Sequence, residues 1–354
     1  MQSDQATKVL VVKLTSMGDV LHLLPAVTEL IANRPNISID WMVEDSFTDI
    51  PNMHAGVNRV IPVATRQWRS LNLRNIRSFM AFLRDLRKDR YDYVIDAQGL
   101  IKSALLARFA KLSRAGKRFG FSKNSLKERP ATWFYHQVVE VGRQQQAVLR
   151  QRQLVAGVFS YGLTDEFLGY GLDQEQTSGL GSSGEIMFFH GTTWATKHVP
   201  ETFWIELARV GVEQGQTVSL SWGNEQELAR AERIAKAVDG VRVLPKMSLT
   251  ELFSHMQRCD GAISVDTGLG HMAAAIGLPN VSIYGATNSE LTGTYGDFQT
   301  HHQMDYGCSP CLLKNCDKLA DEHSLPPCYA GLSASKTWEM LAQQISSRRQ
   351  TLSV

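Results

Sequence analysis

Val9-Leu10-Val11-Val12-Lys13-Leu14-Thr15-Ser16-Met17-Gly18-Asp19 carries a short β-branched run straight into small and polar residues, and a helical apolar pattern follows over 21–33. A second stretch repeats the arrangement far downstream, where Gly261-Ala262-Ile263-Ser264-Val265 runs into Asp266-Thr267-Gly268-Leu269-Gly270-His271. Each stretch places backbone N–H groups and an Asp at a strand-to-helix turn, the local arrangement that receives phosphate. Two such turns point to two α/β domains and two facing sites.

The pattern around them agrees. Strands are expected at 9–13, 37–43, 60–62 and 93–96, with helices over 21–33, 75–88 and 100–111, which is alternating β-α logic. Residues 163–185 lack periodicity and are rich in Gly, Ser and Gln, so they are read as a linker between domains at 1–162 and 186–334. After it, strands at 186–190, 218–221, 241–244, 261–265 and 280–284 alternate with helices at 203–214, 226–238, 250–258 and 271–276. A last helix over 335–348 is expected to pack back on the first domain. The 354 residues suffice for two such cores.

Charge separates the halves. Residues 1–162 hold 24 Lys/Arg against 13 Asp/Glu, a net +11, and the remainder holds 13 against 22, a net −9. A basic first half calls for an anionic partner. One basic cluster, from Arg66 to Arg90, shares a helical pattern with Trp68, Ile76, Phe79, Met80 and Phe82. A second runs from Arg108 to Arg129 and leads into Trp133-Phe134-Tyr135. Basic amphipathic helices with interleaved aromatics lie at membrane surfaces, whereas no nucleic-acid-binding motif is present, so nucleic acid is not expected as a partner. No apolar run reaches the ~18 residues of a membrane span, and five cysteines, an odd number, fit reduced thiols. The expected place is the cytoplasm, at the membrane face.

Several common sites are excluded. No G-x-G-x-x-G opens either half, no G-x4-G-K-S/T stretch occurs, and there is no G-x-S-x-G elbow. A nucleotide-sugar enzyme with two α/β domains remains.

Three motifs in order, Val11 to Pro25, Asp96-Ala97-Gln98-Gly99-Leu100-Ile101-Lys102-Ser103 and Asp266 to His271, resemble the lipopolysaccharide heptosyltransferases of glycosyltransferase family 9. The likeness extends over nearly the whole chain, and the first two motifs are closer to the enzymes adding the first heptose than to those adding the second. The resemblance implies a GT-B fold, two Rossmann-like domains with a cleft between them. It implies ADP-L-glycero-D-manno-heptose as donor in the C-terminal domain, Kdo-lipid A as acceptor at the N-terminal domain, and inversion without a metal or cofactor.

Residue by residue, it implies Asp19 as the general base that removes the acceptor proton. A helix N-terminus favours a carboxylate there, and simple helix capping is the bland alternative. Lys13, Ser16 and Gly18 would line the acceptor side of the same loop, with Gln98 and Lys102 of the Gln-Gly-Leu-x-Lys motif. Arg66 and Arg69 match a basic acceptor-contact segment. Lys127 and Arg129 are the further candidates, although the order Lys127-Glu128-Arg129-Pro130 departs from the family's Arg-Glu-Pro. On the donor side, Thr192, Thr193 and Lys197 would hold the pyrophosphate, with Lys197 in the place of a metal. Thr267, Gly268 and Leu269 would offer N–H groups to the leaving group, with Asp266 and His271 beside them. Glu225 matches a ribose-binding acid, and Met247 lies where adenine rests.

Cys308, Cys311, Cys316 and Cys328 contain one Cys-x2-Cys pair but not two, so no metal is expected from the spacing. Two other classes stay open. A nucleotide-sugar epimerase or hydrolase would need no basic acceptor face, and a pure binding module would need no Asp19 together with Lys197 and Asp266.

Overall fold

The opening stretch forms strand β1 (Thr7–Val12), whose last four residues are fully buried. A run apolar on both faces belongs inside a parallel sheet. β1 pairs in parallel with β2 (Ile37–Glu44) and with β4 (Tyr91–Asp96). With β3 (Val57–Val63), β5 (Leu112–Phe121) and β6 (Gln137–Val139), the sheet has the order β3-β2-β1-β4-β5-β6. The computed structural model describes residues 6–70, 72–172, 183–319 and 326–352.

The second sheet repeats this order with β7 (Glu185–Phe189), β8 (Thr217–Leu220), β9 (Val241–Val243), β10 (Gly261–Val265), β11 (Asn280–Tyr284) and β12 (Gln299–Gln303). Read as β12-β11-β10-β7-β8-β9, it too reverses direction beside its first strand. In a doubly wound sheet, ligands bind beyond the carboxyl ends of the strands where the order reverses. Those points lie between β1 and β4 and between β7 and β10, and the loops leaving these four strands carry the motifs singled out above.

Helices α1 (Met17–Asn33) and α2 (Asp49–Asn52) follow β1 and β2, α3 (Leu73–Leu86) and α4 (Ile101–Arg108) follow β3 and β4, and α5 (Ala147–Phe159) follows β6. Phe82 and Leu86 of α3 and Leu106 and Ala107 of α4 share one core with Leu10, Met42 and Ile61. α1 packs on α5, and a buried ion pair joins them, Arg152 Nε to Glu29 Oε1 at 2.6 Å. In the second sheet, α6 (Glu201–Glu213), α7 (Glu225–Ala237), α8 (Leu249–Met256), α9 (Gly268–Ala275) and α10 (Ser289–Thr292) alternate with the strands, and Phe188, Trp204, Leu207, Ile263 and Val281 are core. The last helix, α11 (Ala334–Leu352), packs on α6 and on β10, β11 and β12. The chain divides into compact units at Asp173 and Gln174.

The helix expected over 100–111 is shorter than that, and the second basic cluster lies mostly beyond it. α4 stops at Arg108, and Arg114, Lys117 and Arg118 of the cluster lie on β5. Arg118 is buried, with its guanidinium donating to the carbonyls of Ala107, Arg108 and Ala110 at 2.9 to 3.2 Å. These carbonyls lie at and just beyond the C-terminal end of α4, so the cation is spent on the helix end. Burial and the nearby Arg108 lower its pKa from the usual guanidinium value. Among the described residues, no helix is long and apolar enough to cross a membrane.

Candidate active site

In the first unit, the turn after β1 is held by the turn after β4. Gln98 Oε1 accepts the N–H groups of Leu14 and Thr15 at 3.0 and 3.2 Å. Gln98 is in turn placed by Asp96, a fully buried carboxylate that accepts from Gln98 N and Gly99 N, both at 3.0 Å, from Ser103 Oγ at 2.9 Å and from Tyr135 OH at 2.7 Å. Burial pushes the Asp96 pKa up, and these four donors pull it back. Gly99 has φ +72°, and a Cβ there would lie 2.4 Å from Leu126 Cδ2, so glycine is required on both grounds.

Asp19 is the third residue of α1. Its Oδ2 accepts the Ser16 N–H at 2.9 Å and the Ser16 hydroxyl at 3.2 Å, while Oδ1 lies 3.8 Å from Lys13 Nζ. The capping and catalytic readings therefore use different oxygens of one carboxylate, which is 45% exposed. Lys13 is buried, donates to Ala97 O at 2.9 Å, and with the Gln151 amide turned to suit also donates to its oxygen at 3.0 Å. Desolvation lowers its pKa, and the carboxylates of Asp19 and Asp96 oppose the shift. Lys13 is thus a fixed cation beneath the loop rather than a mobile surface contact. Gly18 is buried in the first turn of α1.

The basic candidates gather near the same strand ends. Lys102 Nζ donates to Thr65 Oγ1 at 2.9 Å, and Thr65 donates to Glu44 Oε2 at 2.7 Å, linking the ends of β2 and β3 to α4. Arg66, next to Thr65, and Arg69 are exposed. Glu128 Oε2 accepts the Ile101 N–H at 2.8 Å, which docks the 127–129 segment on the start of α4 with Lys127 and Arg129 both exposed.

In the second unit, Lys197 Nζ pairs with Asp266 Oδ2 at 2.7 Å and lies 4.6 Å from the Trp194 ring centroid. Thr287 Oγ1 donates to the same Asp266 oxygen at 2.5 Å, and Thr192 Oγ1 donates to the Asp266 carbonyl at 3.2 Å. Asp266 thus ties the loops after β7, β10 and β11 together. Thr267 is the extended N-cap of α9, Gly268 and Leu269 form its first turn, and their N–H groups lack helical partners. Gly270 sits against Ser264, and His271 is buried. Thr193, on the loop after β7, and Glu225, the first residue of α7 after β8, are exposed, and Met247, on the loop after β9, is half-buried. Every donor candidate therefore lies at the carboxyl end of the second sheet.

The model of glycosyltransferase family 9 (heptosyltransferase) matches residues 79–320. The chain belongs to this family. The transferase is 42% identical over 341 residues to lipopolysaccharide heptosyltransferase 1 of Pseudomonas aeruginosa, covering 93% of this chain and 95% of that protein. The solved structure of Escherichia coli heptosyltransferase WaaC with ADP matches with a TM-score of 0.84 at 35% identity, over 96% of this chain and 100% of that one. The same enzyme with ADP-2-deoxy-2-fluoro heptose matches with a TM-score of 0.76 at 39% identity, over 83% and 92%. The expected GT-B class, with two doubly wound α/β units, is the class found.

Sequence reasoning missed several residues that shape the transferase's loops. Tyr135 reaches Asp96 from a stretch read only as an aromatic run. Thr287 and Glu227 carried no motif, yet Thr287 holds Asp266, and Glu227 accepts the Gly223 N–H at 2.8 Å. A Cβ on Gly191 would lie 2.5 Å from the Glu227 carboxyl carbon. The signal for Glu227 was its place in the first turn of α7, behind the cap Asn224, which accepts from Gln226 N and Glu227 N.

Proposed function

We propose that the transferase moves L-glycero-D-manno-heptose from ADP-heptose to a Kdo residue of Kdo-lipid A, inverting the anomeric centre. Asp19 takes the proton from the attacking Kdo hydroxyl as the new glycosidic bond forms and the bond to ADP breaks. The observation carrying this reading is the Asp19 carboxylate itself, fixed by Ser16 through one oxygen, half-open to solvent, and beside the buried Lys13 cation. The electron pair of the broken bond leaves on the ADP phosphate, where the N–H groups that open α9 and the Lys197 ammonium supply fixed positive charge. Lys13, Ser16, Gly18, Arg66, Arg69, Lys102, Lys127 and Arg129 form the acceptor side in this reading. Gln98 supports it by holding the base loop.

The acceptor is a lipid, which gives the basic face a place at the anionic inner-membrane surface. Leu73, Ile76 and Met80 of α3 are 74%, 50% and 55% exposed at helical spacing, among Arg74, Arg77 and Arg84, and Trp133 is 83% exposed. This is the composition of a surface-lying helix.

The test is single-turnover ADP release from ADP-heptose with deacylated Kdo-lipid A, the glycan followed by mass. Wild type should place heptose on Kdo. Asp19→Asn should be at least ~10²-fold slower with ADP-heptose affinity unchanged, as for loss of a general base. ADP release without glycan growth, or an Asp19→Asn variant at wild-type rate, would overturn the assignment.

A further inference from the structure

Arg230 is a half-buried cation that the chemistry above does not use, and it stands directly behind the loop joining β7 to α6. It lies on α7 between Glu227 and Arg233, each three residues away and so on one helical face. This face meets the loop from end to end. Glu227 packs on its start, where a Cβ on Gly191 would lie 2.5 Å from the Glu227 carboxyl carbon. Arg230 Nη1 donates to the His190 carbonyl at 3.4 Å and to His198 Nδ1 at 2.9 Å, the residues that flank the 191–197 segment. Arg233 reaches the residue that opens α6, with Nε and Nη2 donating to Glu201 Oε1 and Oε2 at 3.0 and 2.8 Å.

The chemistry of the 2.9 Å contact fixes the state of His198. A guanidinium has donors and no acceptor, so Nδ1 must be unprotonated to receive it, and the ring proton sits on Nε2. Burial and the Arg230 charge act the same way, holding the His198 pKa at about 4, while a bond to the Thr192 backbone pulls upward. A backbone bond that favours the protonated ring is one to a carbonyl oxygen. His198 therefore joins α7 to Thr192 at one end of the loop and directly follows Lys197 at the other. The middle of the loop has its own anchors, since the Thr196 hydroxyl donates to Leu313 O at 2.6 Å and Thr196 O accepts the Tyr329 hydroxyl at 3.1 Å. Loss of the contacts at the ends would thus loosen Thr192 and Lys197 without releasing the whole loop.

We propose that Arg230 and His198 are positioning residues for the donor pyrophosphate, a relay from α7 that sets both ends of the 191–197 loop so that Thr192 and Lys197 meet the phosphates together. Arg230 acts through His198 and the His190 carbonyl and needs no contact with the nucleotide. The inference rests on the reading of Thr192, Thr193 and Lys197 as pyrophosphate contacts.

The experiment is calorimetry of ADP and of adenosine on the full chain, with melting temperature followed on the same preparations. Adenosine lacks the phosphates, so it reports on the rest of the nucleotide site. Arg230→Met should lose about 10-fold in ADP affinity, through a less organised loop, with adenosine unchanged. His198→Phe should match it. His198→Asn, whose amide oxygen offers Arg230 an acceptor in place of Nδ1, should recover most of the loss. Arg230→Met combined with His198→Phe should lose little more than either alone, because both remove one contact. ADP affinity unchanged in the two single variants would overturn the proposal, as would a loss shared equally by ADP and adenosine or a His198→Asn variant no better than His198→Phe. Should Arg230→Met fail to fold, the pair His198→Phe and His198→Asn carries the same comparison. A wild type that binds ADP no more tightly than adenosine would strike the donor reading itself, and the relay with it. A wild type that prefers ADP, with variants that keep the preference, would strike the relay alone.

Discussion

Replacing Asp96 should uncouple two effects, stability and the placement of the base loop. Its Oδ1 serves two backbone donors and its Oδ2 serves two hydroxyls, all inside the core. In Asp96→Asn, the amide oxygen can keep the N–H groups of Gln98 and Gly99, while its NH2 faces Ser103 and Tyr135, whose hydroxyls can turn to accept. Only the charge assistance is lost, about 2–3 kcal/mol. Asp96→Ala takes their acceptor from four donors at ~1–3 kcal/mol each, roughly 4–12 kcal/mol in sum, comparable to the whole stability of a domain at about 5–15 kcal/mol. The Asn variant should therefore fold and the Ala variant should not hold its first unit together. Because Asp96 sets Gln98, and Gln98 holds Leu14 and Thr15, the Asn variant, whose bonds to Gln98 and Gly99 are weakened by loss of the charge, should also lose about 10-fold in turnover as the loop bearing Asp19 loosens. Urea unfolding and ADP release, measured on the same preparations, check both. If Asp96→Ala costs less than ~1 kcal/mol, or if Asp96→Asn turns over as wild type does, the carboxylate does not organise the site and the reasoning fails.

Lys197→Met should weaken ADP binding and destabilise the second unit by about 2 kcal/mol, since it strands a mostly buried Asp266. Adding Asp266→Asn should restore the stability without the affinity, and calorimetry of ADP binding with thermal melts tells the two apart. Stability should fall in mild acid. Burial holds the His54 and His190 pKa values down at about 4, well below the ~6.5 of an unfolded chain. The unfolded state therefore takes up protons first, and each histidine's contribution, full above pH ~6.5, is lost as pH falls toward 4, about 3 kcal/mol apiece at most. Melting temperature flat from pH 7 to 4.5 would contradict this. Finally, the protein should cosediment with vesicles containing anionic lipid and not with neutral ones, less so at high salt, and Leu73→Ser with Met80→Ser should reduce the bound fraction.

Legibility followed burial. Strands β1, β10 and β11 are buried on both faces over most of their length, and their Val, Ile and Leu stand out in a short window. β5 escaped notice because its first half is exposed and basic, and charge read as a helical face concealed a strand. β12 is an edge strand of Gln, Thr and His, without an apolar run. α5 carries Gln151 and Arg152 on its buried side, the latter satisfied by Glu29 from a distant helix.

The sequence by itself determined the alternation of strands and helices, the charge contrast of its halves and the motifs that mark family 9, because these depend on local spacing and residue type. Tertiary structure alone decided what each charged or polar group does. Arg118 caps a helix, Lys13 is buried under the base loop, Lys197 is paired with Asp266, and Gln98 holds a backbone turn. A side chain's role is set by what it meets, and the partners here lie from about ten residues away, for Arg118, to 84, for Lys13 and Gln98, beyond the reach of a local pattern.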